Sequence, residues 1–216
     1  MLSKNRAGEI RSLHLKKFRD ARKRFIAEGV KSVAEILEYR PELIETVFAE
    51  REFIERHRRP EIHSATGWEE ITEAELRKIS LQNNPNHVLA VCHQPEKKNG
   101  ASFDNTAFSF YLDDIRDPGN FGTILRICDW FGARDLYCSP SSCELYNPKV
   151  IQASMGAFLR VNVFYTNLPE LCRAHQITNV YGAVLEGKNI YSESLAPGLI
   201  VIGNEANGIS EDSLKL

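Results

Sequence analysis

Two stretches hold residues whose types and spacing could do chemistry. The first, DDIRDPGNFGTILRICDWFG, runs from Asp113 to Gly132, where a cluster of turn-forming residues switches into an apolar periodic segment carrying one arginine, Arg126. The second, GNEANG, runs from Gly203 to Gly208 and follows the apolar run LIVI. Each has glycine where a backbone must turn or let a ligand come close. Neither is a phosphate loop. GNFGTI lacks the Gly-x-Gly-x-x-Gly spacing and no Gly-Lys-Ser/Thr follows either run, which disfavours a dinucleotide or nucleoside-triphosphate site. A guanidinium holds its proton at physiological pH, so the chemistry favoured for Arg126 is to grip an anion in its planar fork, with base action open only in a strongly perturbed site. Taking Asn120 as the cap of the following helix, Arg126 falls nearly two turns in, buried among apolar neighbours and still in reach of the pocket edge. On spacing alone, Asn120 reads equally as a plain cap and Arg126 as an ordinary helix-surface ion pair.

The elements around these stretches fix where they can sit. After residue 105 the order is strand (AFSFYLDDI), helix (FGTILRICDWFGA), strand (DLYCS), helix (PKVIQASMGAF), strand (RVNVFY), helix (LPELCRAHQ), then the strands NVYGAVL and GLIVIG. Such alternation implies a mostly parallel sheet with helices on both faces, and ligands of such sheets bind outside the carboxyl ends of the strands, where both stretches fall. Before it, RFIAEGVKSVAEILEY reads as strand, turn at Gly29 and helix with Val33, Ile36 and Leu37 inward; LIETVFAE and HVLAVCHQ read as two more strands. Thr72 with Glu75 three residues on makes a capping box. This is a small α/β module over residues 1–95. PEKKNGASFDN supplies a linker at 96–105, and 106–216 form the second domain.

Composition narrows the class. The 216 residues are 43% hydrophobic and 26% charged, which suits a folded chain of one large or two small domains. No apolar run approaches a membrane span, and the start of the chain lacks the apolar core of a secretory signal, so the expected location is the cytoplasm, with no membrane partner. The five cysteines form no Cys-x-x-Cys pair and lie near no histidine pair at ligand spacing; they read as reduced apolar residues, and no metal site is expected. The net charge of −2 hides an asymmetry: residues 1–60 carry 15 Lys and Arg against 10 Asp and Glu. The basic charge concentrates in KNRAGEIRSLHLKKFRDARKR, which is the footprint expected for phosphate backbones, although a solvated helix face would look the same.

Together the motifs resemble the SpoU/TrmH group of SPOUT-class RNA 2′-O-ribose methyltransferases. DDIRDPGNFGTILRICDWFGA is similar to that family's first motif, LIVIGNEANGIS to its second, and YNPKVIQASMGAFLRVNVF to the segment between them. The module carrying RFIAEGVKSVAEIL is similar to the ribosomal L30e-like RNA-binding domain often fused ahead of the catalytic one. The resemblance implies an α/β-knot (trefoil) fold for the second domain, S-adenosyl-L-methionine as methyl donor, and a ribose 2′-hydroxyl of structured RNA as acceptor. Ribosomal RNA is favoured; transfer RNA, or an inactive RNA-binding adaptor of the same fold, are the alternatives. It implies a homodimer through the knot domain. It assigns catalysis to Asn120, Arg126 and Glu205, with Arg126 acting on the 2′-hydroxyl and Glu205 holding Asn120 or Arg126 in place; the high pKa of a guanidinium favours Arg126 instead as a clamp on the phosphate beside that hydroxyl. The donor falls to Gly182, Glu186, Gly187, Ile202, Gly203, Asn204 and Gly208, with Gly203 and Gly208 leaving room for it; RNA falls to Lys16, Lys17, Arg22 and Lys23. The family has a third motif downstream of the second, supplying part of the donor pocket and the threading tail. The sequence stops at SEDSLKL before reaching it, and the expectation is that donor binding needs that segment.

Overall fold

The computed structural model describes residues 2–60, 64–96 and 103–216. Most of the expected linker, 97–102, lies outside the described residues. By its contacts the chain divides into two compact units, one formed by 1–97 with 145–159 and the other by 98–144 with 160–216.

The first unit begins with two basic helices, α1 (Lys4–Ser12) and α2 (Lys16–Arg22), followed by β1 (Arg24–Glu28), α3 (Val30–Tyr39), β2 (Ile44–Ala49), α4 (Arg51–His57), β3 (Gly67–Glu70), α5 (Glu73–Ile79) and β4 (Val88–His93). The sheet order is β1-β4-β2-β3; β4 runs antiparallel to both its neighbours and β3 parallel to β2. Four consecutive residues of β1, from Phe25 to Glu28, are buried, so this strand is covered on both faces. Val33, Ile36 and Leu37 of α3 are buried, the 3.6-residue stripe read from the sequence. The Thr72 capping box is formed: Glu75 N–H donates to Thr72 Oγ1 at 3.3 Å and Thr72 N–H to Glu75 Oε2 at 3.0 Å. Two elements depart from expectation. Helix α4 buries only Phe53 amid charged residues, and β3, reading Gly-Trp-Glu-Glu, has no alternation of exposure, so neither carries the periodicity that betrays an element.

The second unit is built from β5 (Ser109–Asp113), α6 (Pro118–Trp130) and β6 (Asp135–Cys138). After the excursion through α7 (Pro148–Ser154) come β7 (Asn162–Tyr165), α8 (Leu168–His175), β8 (Val180–Gly182), β9 (Leu199–Gly203) and α9 (Glu211–Leu214). Every pairing in its sheet, ordered β7-β6-β5-β9-β8, is parallel. The chain steps outward from β5 through β6 to β7, then crosses to β8 and returns to β9. The switch in direction therefore lies between β5 and β9, where open parallel sheets place their ligands. Tyr111, Tyr137, Leu168, Leu171, Leu199 and Val201 fill the core beneath it.

Residues 145–159 lie between β6 and β7 in sequence but pack with the first unit: the Phe25 ring stands 4.8 Å from Tyr146 and 5.8 Å, edge-on, from Phe158. The expected helix through Phe158 stops at Ser154, because Met155 (φ 47°) and Gly156 (φ 90°) take left-handed backbone.

Candidate active site at the carboxyl edge of the parallel sheet

Strands β5 and β9 pair in register, with Asp113 opposite Gly203, so the loops that follow them leave the sheet side by side. Side chains tie the two loops together. Asp113, 4% exposed, accepts the Ser210 amide on Oδ2 at 2.8 Å. Asn204 Nδ2 donates to the Asp114 carbonyl at 2.8 Å, while its Oδ1 accepts the amides of Ala206 and Asn207 at 3.0 Å. Asn204 and Gly208 exchange backbone hydrogen bonds of 2.8 and 2.9 Å, closing a tight hairpin whose αL position (φ 70°) is Gly208. This hairpin gives Gly203 its reason. A Cβ there would stand 2.2 Å from the Gly208 carbonyl carbon and 2.3 Å from the Ile209 nitrogen. On the side where a side chain would point, the protein's own backbone leaves room for hydrogen alone.

Asp117, not Asn120, is the cap of α6. It accepts the Asn120 amide on Oδ1 at 2.8 Å, and Pro118 occupies the first helical position. Asn120 is therefore the third helical residue, and its side chain is free to leave the helix: Nδ2 donates to Glu205 Oε1 at 2.8 Å, joining the two loops a third time. Beneath, Ser139 Oγ accepts the Asp114 amide at 2.9 Å and Ser142 Oγ the Ile115 amide at 3.2 Å, fixing a turn in which Asp114 has φ 59°. Arg116 donates to Asp114 Oδ1 at 2.9 Å and holds that carboxyl below its ordinary range. Arg126 is not buried. It sits on the exposed side of α6 and has no hydrogen bond or ion pair among the described residues. Six residues separate it from Asn120, about 9 Å along the axis and about 120° around it. A buried role would leave the guanidinium desolvated without a partner; exposure leaves it ready for an outside anion.

The other candidates spread along the same edge. Ile202 pairs with Leu112 inside the sheet, and Gly182 ends β8, exposed, with the Ile209 Cδ1 methyl 3.0 Å and Val184 Cγ1 3.9 Å from where a Cβ would be. Glu186 and Gly187 lie on the exposed loop after β8, with Val184, Leu185, Ile190 and Tyr191 (96% exposed). Farther along α6, Ile127, Trp130 (85% exposed) and Phe131 (78%) share one bare face. In the first unit Lys16, Lys17 and Lys23 are exposed, but the basic stretch is not uniformly free. Arg19 is buried and donates to the Leu13 carbonyl at 2.8 Å; Arg22, though exposed, donates to Ser12 Oγ at 3.0 Å and the Glu9 carbonyl at 3.2 Å. Among the described residues no cluster of three His, Cys, Asp or Glu side chains converges as metal ligands. Sequence reasoning missed Asp113, Asp117, Ser139 and Ser142. Only Asp117 had a local signal, a cap-type residue directly before a proline.

A sequence profile of the SpoU rRNA Methylase family matches residues 107–216, which hold both loops. The chain belongs to the SpoU rRNA methylase family. Residues 4–90 match the MRM3-like substrate binding domain. Among curated relatives, the 23S rRNA (guanosine(2553)-2'-O)-methyltransferase RlmP of Bacillus subtilis is 26% identical over 208 residues, covering 92% of this chain and 79% of RlmP. Among solved structures, a protein from Porphyromonas gingivalis assigned to the TrmH family of RNA methyltransferases superposes with a TM-score of 0.83 at 33% identity, over all of this chain and 86% of that one. AviRb of Streptomyces viridochromogenes, a SpoU methyltransferase solved with AdoMet, shares the fold with a TM-score of 0.81 at 19% identity, over 99% of this chain and 86% of AviRb. This SpoU chain thus has its two motif loops on adjacent parallel strands, tied to each other by Asp113, Asn204 and the Asn120–Glu205 pair.

Proposed function

We propose that this SpoU-family protein transfers a methyl group from S-adenosylmethionine to a ribose 2′-hydroxyl of ribosomal RNA. The observation that carries the reading is the Asn120–Glu205 hydrogen bond, which brings the polar residues of both motifs to one point at the switch of a parallel sheet. The edge fits the donor chemically. Exposed apolar side chains at Val184, Leu185, Ile190 and Tyr191 lie on the segment that follows Gly182, and a purine needs such apolar cover with backbone groups beside it. Gly182, Glu186, Gly187, Ile202, Asn204 and Gly208 would hold S-adenosylmethionine, whose sulfonium supplies an electrophilic methyl when bound.

The chain's own residues must orient a weakly acidic alcohol. Arg126, exposed and without a partner among the described residues, is suited to clamp the phosphate beside the target ribose, and its fork fixes the angle as well as the distance. Asn120, on the same helix as Arg126, and Glu205, on the second loop, would meet the hydroxyl as a hydrogen-bonded pair. Lys16, Lys17, Arg22 and Lys23 extend phosphate binding over the first domain, residues 1–95, and 106–216 form the catalytic domain. The bare Ile127, Trp130 and Phe131 face supports a homodimer, since monomers seldom leave two aromatics so exposed on one helix. Five cysteines, all free, suit a reducing compartment, and the reading places the enzyme in the cytoplasm. No helix among the described residues is long and apolar enough to cross a membrane.

The test is methyl transfer by the purified protein from labelled S-adenosylmethionine to ribosomal or transfer RNA. Label in ribosomal-RNA ribose supports the reading. Label in transfer RNA alone would move the substrate, and RNA binding without label would make the protein an adaptor.

A further inference from the structure

The segment that leaves the second unit after β6 is tied, at its entry and at its exit, to the two ends of the first motif. At the entry, Ser139 Oγ accepts the Asp114 amide at 2.9 Å, Ser142 Oγ the Ile115 amide at 3.2 Å, and the Ile115 carbonyl the Cys143 amide at 2.7 Å. Ser139 and Ser142 are buried, their hydroxyls 3.0 Å apart, and Ser142 Oγ donates to the Leu112 carbonyl at 3.2 Å. At the exit, Arg160 holds Asp129 in the last turn of α6, with Nε 2.9 Å from Oδ1 and Nη2 2.8 Å from Oδ2. Between these anchors, residues 145–159 belong to the first unit, where Val150 and Ile151 are fully buried and Tyr146 and Phe158 pack on Phe25. A segment packed into one body and tied at both ends to one element of another transmits strain to that element. The element it reaches has a second state open to it. Asp114 holds left-handed backbone, φ 59°, which a residue with a side chain keeps only where its surroundings impose it. The serine hydroxyls impose it here. Without them the Asp114 and Ile115 amides would lose their acceptors, and the turn leading into the Asp117 cap would relax.

We propose that residues 139–160 couple the two units: RNA held by the first unit stabilises the first-motif turn through them, with Ser139, Ser142 and Arg160 as positioning residues. The proposal rests on the reading above that the first unit binds RNA. RNA acts on the turn as far as it favours the arrangement of 145–159 in which both anchors are made.

Amide hydrogen exchange read by mass spectrometry tests this on the full chain, with deproteinised ribosomal RNA as the probe. In the wild type, RNA should slow exchange of the segment holding the Asp114 and Ile115 amides by about 5-fold or more, the range of ordinary coupling between sites. Arg160→Gln cuts the exit anchor at an exposed position, and a Gly-Ser-Gly insertion between Glu144 and Leu145 slackens the entry. Both should bind the same RNA with wild-type affinity and lose the slowing. A merely structural role would change exchange alike with and without RNA. Direct cover of the turn by RNA would slow both variants as it slows the wild type, and that result overturns the coupling, as does RNA that leaves these amides unchanged in the wild type. Should the insertion prevent folding, Arg160→Gln decides. Absence of methyl transfer by a wild-type protein that shows the slowing would fail the methyltransferase reading and leave the coupling standing.

Discussion

Arg126 projects from the exposed face of α6, so its removal should be felt in the reaction and not in the fold. Arg126→Ala is expected to change unfolding free energy by no more than about 0.5 kcal/mol, as surface substitutions do, and to slow single-turnover methyl transfer by about 100-fold through lost alignment. Lysine should rescue poorly, because it keeps the charge and loses the fork. A stability loss that tracks the activity loss would make the residue structural. His14 shows a different single-residue effect. Its Nε2 lies 3.0 Å from the Ile79 carbonyl and must donate to it, while Nδ1 is buried with no hydrogen-bond partner among the described residues. Burial, the largest influence, holds its pKa below the ordinary 6.5. The folded state then takes up a proton less readily than the unfolded one, so its contribution is intact above pH 6.5 and is lost as the pH falls below it. Melting curves at pH 7.5 and 5.5 should show wild type losing more than His14→Asn; equal losses would remove His14 as a source. Which residues carry polar side chains was plain from the sequence, but their engagement was not. Asp117 and Asn120 are equally good caps by type, and Pro118 decides between them only once the helix start is known. The burial of Arg19 depended on a carbonyl six residues back, which no charge count reveals.

Among the elements, the hairpin after β9 sets the geometry of the second loop, and its glycines are not equivalent. Gly203→Ala drives a Cβ into the Gly208–Ile209 backbone and should cost about 1–3 kcal/mol or more. Gly182→Ala crowds the end of the Ile209 side chain, which can rotate away, and touches Val184 at ordinary contact distance, so it should melt near wild type. Denaturant unfolding of both variants checks this, and equal stabilities would contradict the packing account. Most elements were legible in the sequence: β1, β2 and β4 are dense in Val, Ile, Phe and Ala, and the alternation from β5 to β9 announces a parallel sheet. β3 was not, because a four-residue edge strand with two glutamates gains its state from pairing with β2 and not from its own pattern. Nor was the association of 145–159 with the first unit, which depends on the contacts of Phe25 with Tyr146 and Phe158.

At the scale of the whole molecule, the account joins a basic front unit to a catalytic sheet that presents an apolar helix face. Trp130→Glu should shift the sedimenting species from dimer to monomer, whereas an unchanged species would assign Trp130 another role. Reversing Lys16, Lys17 and Lys23 to Glu, which leaves the Arg22 ties to α1 intact, should weaken RNA binding and lower its salt slope by about two. An unchanged slope would return these lysines to a solvated face. The central claim, methylation of a ribose in ribosomal RNA, is tested most directly by mapping 2′-O-methyl groups by mass spectrometry in RNA from cells with and without the gene. The account predicts that one ribosomal nucleotide loses its ribose methyl in the deletion and regains it on complementation with wild type but not with Arg126→Ala. Identical ribosomal maps in the two strains, or a methyl lost only from transfer RNA, would contradict it.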